Sequence, residues 1–186
     1  MIELSIAEIA TAVGGTLVDE TNGARRLPAV AAQTDSRLST AGSIFFALRG
    51  ELTDGHLFAN SAVANGAALV IAEHPLDIGV PQIIVGDGVQ GLHALARTIV
   101  ARVRDRGALK VIAVTGSNGK TTTKNMLRSI LELEGETVAP QGSFNNDVGA
   151  PITILGVTEQ TKYLVVEMGA DAIGDITRLQ SIALPD

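Results

Sequence analysis

With 186 residues, 46% hydrophobic and 18% charged, the chain has apolar material for one large or two small packed domains, which excludes a disordered segment. A net charge of −6 leaves no basic stripe for general nucleic-acid binding, and zero cysteines exclude disulfides and thiolate metal sites, in keeping with a reducing compartment. Aromatics are 3% and tryptophan is absent, so the core must be aliphatic; with no cationic-apolar leader and no membrane-length apolar run, a soluble, cytoplasmic protein is predicted.

Ser5-x-x-Glu8 is a capping-box pattern, and Ile6, Ile9, Ala10 and Val13 follow at helical spacing up to Gly14-Gly15. Short strands are predicted over 16–18, 30–32 and 44–48, and a helix over 57–64 that stops at Asn65-Gly66. Residues 68–72 and 82–85 read as buried strands. A helical stripe of Leu92, Leu95, Ala96, Ile99, Val100 and Val103 then ends in an arginine-rich tail at Gly107. From Leu109 the grammar becomes strand, turn, helix, repeated: strands over 110–114, 137–139 and 163–168, and helices over 120–133 and 173–182. Met126, Leu127, Ile130 and Leu131 fall on one face of the first of these helices. Such alternation implies a parallel sheet with helices on its faces. The predicted class is α/β: a small mixed α/β domain over 1–107, then the truncated start of a parallel-sheet domain over 108–186, with about half its sheet present.

The most informative stretch joins a β-branched strand, Val111-Ile112-Ala113-Val114, through a glycine-bracketed turn to Lys120-Thr121 opening a helix. Gly116 and Gly119 let backbone N–H groups face an anion, and the helix end adds the positive end of its dipole. Gly116, Ser117, Asn118, Gly119, Lys120, Thr121 and Thr122 therefore form a candidate triphosphate cradle. Lys120 would reach the β- and γ-phosphates, and the Thr121 hydroxyl would hold Mg²⁺. The general pattern G-x-x-x-x-G-K-[ST] would put glycine at 114, where this chain has Val114. Glu167 stands at the carboxyl end of a buried strand. It is either a second metal handle, if its strand neighbours 110–114, or a solvent-facing strand end. Gly169 beside it points to a close backbone approach. Asn145 and Asn146 could bind phosphate oxygens or a carboxylate, or be turn residues only. In the first domain, Thr34-Asp35-Ser36-Arg37, Leu48-Arg49-Gly50 and Thr53-Asp54-Gly55-His56 could line a polar ligand site or be capped surface loops. His56, His74 and His93 have no zinc spacing, and no catalytic histidine is predicted.

T-G-S-N-G-K-T-T-T at 115–123 resembles the P-loop of the Mur ligases and the related folylpolyglutamate synthetases, which share the missing first glycine. Q-G-S-F-N-N-D-V-G-A-P-I-T-I-L at 141–155 and V-V-E-M-G-A-x-x-x-G-D-I at 165–176 look like the branch that joins D-alanyl-D-alanine to UDP-N-acetylmuramoyl-tripeptide. The branch adding a single amino acid is the nearest alternative. T-D-S-R at 34–37 and G-S-I-F-F-A-L-R-G-E-x-x-D-G-H at 42–56 resemble the family's UDP-binding domain. The resemblance implies a cytoplasmic, monomeric ligase of peptidoglycan precursor synthesis that uses ATP and Mg²⁺. A substrate carboxylate attacks the γ-phosphate to give an acyl phosphate, and an amine then displaces phosphate. Lys120 would steady the phosphates, Thr121 and Glu167 hold Mg²⁺, and Asn145 or Asn146 orient the γ-phosphate end. Ser36, Arg37, Arg49 and Gly50 would contact the UDP half. It also implies that further site residues and a C-terminal domain belong to the family beyond this stretch, so the chain alone is expected not to ligate. A UDP-sugar-peptide binding module without catalysis and a small P-loop kinase are the competing readings. The kinase is disfavoured because no second catalytic base follows Glu167.

Overall fold

The computed structural model describes residues 1–18, 22–27, 31–50, 52–107 and 109–186 and divides into two compact units, Met1–Leu95 and Ala96–Asp186. In the first, β1 (Leu4–Ser5) leads directly into α1 (Ile6–Val13). The Ser5 hydroxyl accepts the Glu8 N–H at 3.2 Å while the Glu8 carboxylate accepts the Ser5 N–H at 2.8 Å, closing the predicted capping box. Gly14 ends the helix in the left-handed region, and Ile6, Ile9, Ala10 and Val13 are all buried. A five-stranded sheet follows. It is built from β2 (Thr16–Leu17), β4 (Ala32–Gln33), β5 (Ile44–Phe46), β6 (Leu69–Ala72) and β7 (Gln82–Ile84), in the order β2-β7-β6-β5-β4. The short β3 (Arg26–Leu27) pairs with β1 instead. Only β2 is antiparallel within the larger sheet; β4 to β7 run parallel, so their carboxyl ends share one edge.

The continuous apolar runs of β5 and β6 are buried at every position, as a parallel strand covered on both faces requires. Val30 of the predicted second strand and Glu51 of the 42–56 motif lie outside the described residues. The helix expected over 57–64 begins as a 3₁₀ turn at Gly55–Phe58, whose His56 and Leu57 N–H groups bond to Asp54, before α2 (Ala59–Ala64). The predicted long stripe is realised in α3 (Gly88–Arg106), where Leu92, Leu95, Ala96, Ile99, Val100 and Val103 are all buried.

The second unit contains β8 (Lys110–Val114), α4 (Lys120–Leu131), β9 (Thr137–Val138), α5 (Gly149–Ile154), β10 (Tyr163–Glu167) and α6 (Asp175–Ala183). Its sheet has the order β8-β10-β9 and is parallel throughout, as the alternation of strands and helices predicts. Met126, Leu127, Ile130 and Leu131 share one arc of α4, but that arc is not its buried face. Met126 and Ile130 are exposed, Leu127 and Leu131 half-buried, and the fully buried side chain is Lys124. At 100° per residue, positions 120, 124, 127 and 131 share the line that faces the sheet. Apolar count alone misses that line because a lysine occupies its centre. Among the described residues no helix is long and apolar enough to cross a membrane.

Replacing Ser5 with alanine removes half of the capping box and is expected to destabilise the protein by about 1 kcal/mol. Urea unfolding would read this as a lower midpoint at constant slope, and an unchanged midpoint would show that the cap contributes nothing.

Candidate functional site

The loop after β8 is shaped by two glycines in the left-handed region, Gly116 at φ 141° and Gly119 at φ 79°. A Cβ at either position would meet nothing closer than 3.8 Å, so glycine is demanded there by backbone conformation rather than by crowding. Residues 115–119 are exposed. Among the described residues no hydrogen bond takes up the N–H groups of Gly116 to Thr121, which leaves a row of donors at the N-terminus of the twelve-residue helix α4. Lys120 folds back over this loop, its ammonium donating to the Gly116 carbonyl at 2.7 Å. That single neutral acceptor is readily exchanged for a phosphate oxygen, a stronger partner for an ammonium.

Strand pairing decides the fate of Glu167. β10 lies between β8 and β9 with Glu167 directly beside Val114, so the carboxylate stands next to the glycine loop and not at a free strand end. Glu167 is 1% exposed. The Thr121 hydroxyl donates to its two oxygens at 3.1 and 3.3 Å, and the Asn145 amide donates to Oε1 at 3.0 Å. A buried carboxylate held by two neutral donors costs folding energy that an apolar residue would not. A hydroxyl and a carboxylate converging beside an anion cradle form an oxygen donor set suited to a hard divalent cation such as Mg²⁺.

The two adjacent asparagines do different work. The Asn145 side chain reaches Glu167, and its carbonyl accepts the Gly169 N–H at 2.8 Å. A Cβ at Gly169 would sit 3.0 to 3.2 Å from the Asn145 amide, which is the close approach foreseen at that glycine. Asn146 turns the other way, its Oδ1 accepting the N–H groups of Val148 and Gly149 where α5 begins. Beyond it, Asp147 receives a bidentate pair of bonds from Arg178 on α6 at 2.7 Å each, and Arg178 also bonds Asp175 at 2.7 Å. Lys120, Asn145, Asn146, Gly169, Asp171 and Arg178 share the walls of one cleft. Neither Lys124 nor the Arg178 bridge was foreseen from sequence. The lysine was visible as position i+4 from Lys120, whereas Arg178 carries no local signal.

In the first unit, the loops named from sequence leave the shared carboxyl edge of β4 and β5. Asp35 caps the 3₁₀ turn Ser36–Leu38, and the Arg37 guanidinium beside it holds its carboxyl down at about 2. Ser36 is buried with its carbonyl accepting from Asn65, while the Arg37 side chain is largely exposed. Arg49 pairs with Glu73, just past β6, at 3.1 Å, and the Gly50 N–H donates to the Thr53 carbonyl at 2.9 Å. His56 is buried, its Nε2 accepting the Glu73 N–H at 2.9 Å and its Nδ1 lying 2.5 Å from Asp54. That arrangement places the ring proton on Nδ1, facing Asp54, and makes His56 a pin between two loops.

The second unit is thus of the parallel α/β class that gathers ligands at the carboxyl ends of its strands, here with a glycine loop between first strand and first helix. Residues 114–186 match the Mur ligase middle domain, and residues 31–114 match the Mur ligase family, catalytic domain. The chain belongs to the Mur ligase family. It is 42% identical over 207 aligned residues to the UDP-N-acetylmuramoyl-tripeptide--D-alanyl-D-alanine ligase of Mycobacterium tuberculosis, covering 100% of this chain and 40% of that protein. The crystal structure of MurF from Acinetobacter baumannii superposes with a TM-score of 0.85 at 36% identity, over 98% of this chain and 39% of that one. MurF from Thermotoga maritima, solved in complex with ADP, gives 0.71 at 34% identity over 83% of this chain and 35% of that one. The chain spans about 40% of the length of the M. tuberculosis relative.

Asp175 supplies a pH prediction. The N–H groups of Ala172 and Asp171, then Arg178, hold its carboxyl below the usual range. A depressed folded value means that this anchoring persists above the ordinary carboxylate range and is lost only as pH falls through the lowered value. The Ala172 amide proton shift should therefore stay constant on acidification past the usual aspartate midpoint and move only below it. A transition at the ordinary midpoint would contradict the geometry.

Proposed function

We propose that this chain forms the UDP-substrate-binding and nucleotide-binding portions of a MurF-type ligase, with residues 1–107 serving the former role and 108–186 the latter. The reaction joins D-alanyl-D-alanine to UDP-N-acetylmuramoyl-tripeptide in cytoplasmic synthesis of the peptidoglycan precursor, with the whole enzyme working as a monomer. The observation that carries the reading is the convergence of the Thr121 hydroxyl and Glu167 carboxylate, 3.1 Å apart, behind a loop of free N–H donors. The 42% identity to a ligase with that name supports it.

In this reading the Gly116–Thr122 backbone and Lys120 bind the phosphates of ATP, and Thr121 and Glu167 are the residues that would hold Mg²⁺. Bound there, Mg²⁺ would neutralise charge on the phosphate oxygens during transfer. Asn145 orients the γ-phosphate end and keeps Glu167 aimed, while Asn146 fixes the loop. The substrate carboxylate takes the γ-phosphoryl group to form an acyl phosphate, ADP leaves, and the amine of D-alanyl-D-alanine displaces phosphate to form the amide. Little covalent work falls to the protein; positioning and charge neutralisation do most of it. Ser36, Arg37, Arg49 and Gly50, on one sheet edge, line the UDP side. Arg37 and Arg49 supply the positive charge that a diphosphate requires.

Titration calorimetry with MgATP is the direct test. Lys120→Ala should weaken binding about ten- to hundred-fold, the worth of a charge-assisted contact. Glu167→Gln should abolish the magnesium dependence while leaving the melting temperature unchanged or raised, because it removes a buried charge. A wild-type chain that binds UDP-sugar peptide but no MgATP would instead favour a binding module.

A further inference from the structure

We propose that Lys124 is a positioning residue for the phosphate and metal site, fastening the segment that carries Asn145 and so setting the Asn145 amide against Glu167. The proposal rests on the assignment of that site to nucleotide and Mg²⁺. Lys124 is 2% exposed, and its ammonium donates to the carbonyls of Pro140 at 2.8 Å and Gly142 at 3.0 Å. Both acceptors are neutral backbone groups. An ammonium buried against neutral partners is an expensive way to hold a loop, and a hydroxyl or amide would do so more cheaply. Its place adds to the cost, because it lies one turn, about 6 Å along the axis, behind Lys120 at the positive end of α4. That cost goes to holding the segment that carries Asn145.

The bonds form a closed ring. From α4, Thr121 reaches Glu167 on β10; Glu167 is bonded by Asn145; and the segment leading to Asn145 returns through Gly142 and Pro140 to Lys124 on α4. Gly169, two residues past Glu167, is tied to the Asn145 carbonyl and closes the ring a second time. Opening the ring at Lys124 leaves Thr121 and Glu167 where the helix and strand put them. What it frees is the Asn145 loop. A neutral lysine substitute therefore acts on the site through Asn145 or not at all.

Amide hydrogen exchange on the unliganded chain tests the ring without reference to nucleotide. Lys124→Met should speed exchange at Gly169 about ten- to hundred-fold while the β10 ladder amides of Val165 and Val166 stay protected, and Lys124→Arg should recover most of the protection. Unchanged exchange at Gly169, or equal acceleration across β8 and β10, overturns the proposal. Should Lys124→Met fail to fold, Lys124→Gln, which keeps donors on a shorter arm, reads the same ratio of Gly169 to Val165 exchange. A second arm measures Mg-nucleotide affinity in Lys124→Met, Asn145→Ala and the double variant. Losses that do not multiply support action through Asn145, and losses that multiply overturn it. If the wild-type chain binds no Mg-nucleotide, the functional reading fails and the exchange arm alone decides the role of Lys124.

Discussion

Parallel pairing of β8 with β10 is the constraint on which the rest of the second unit depends. It sets Glu167 level with Val114, so that the last residue of one strand faces the first turn after the other. A carboxylate brought to that point is sealed from water, and it must find donors on the segments that surround it. Thr121, in the first turn of α4, and Asn145, in the loop before α5, are those donors. Slipping the register by one residue would turn Glu167 to the opposite face of the sheet and dissolve the site, because side chains alternate along a strand.

The cost of this arrangement falls on stability. A buried carboxylate with neutral partners and a buried ammonium with neutral partners stand in the same unit, and each is dearer than an apolar replacement of similar volume. Folding compensates elsewhere, in strands and helices buried along their whole length: β6, most of β10, and the inner line of α3. The division is consistent with a fold whose aliphatic interior supplies the stability that a polar strand edge spends.

Legibility in the sequence followed the same division. Elements whose periodicity is set by a continuous apolar interior, such as β8, β10 and α3, were readable to within a few residues because burial itself writes the pattern. The capping box at Ser5 and the glycine turn at 116–119 were readable because local backbone chemistry demands those residues. Failures came where a polar side chain occupies an interior position. On α4 the inward line contains Lys124, so an apolar count selected Met126 and Ile130, which face solvent. The separate orientations of Asn145 and Asn146 were also illegible, since a pair of identical neighbours offers no pattern. Only the start of α5 and the position of Glu167 tell them apart. Strand order, which sets Glu167 beside the glycine loop and not at a free strand end, is a long-range property that no local window contains.

The segment between β9 and α5 is anchored at both ends, by Lys124 at Pro140 and Gly142 and by Asn146 at the first turn of α5. Its tolerance to change is therefore unequal in kind. Exposed side chains along it, such as Gln141 and Ser143, can be exchanged with little consequence, because none of the anchoring bonds uses them. Its length cannot. One residue more or fewer between the two anchors would carry Asn145 out of reach of Glu167, so any relative that keeps this site must keep the spacing of this segment even where its spelling has drifted.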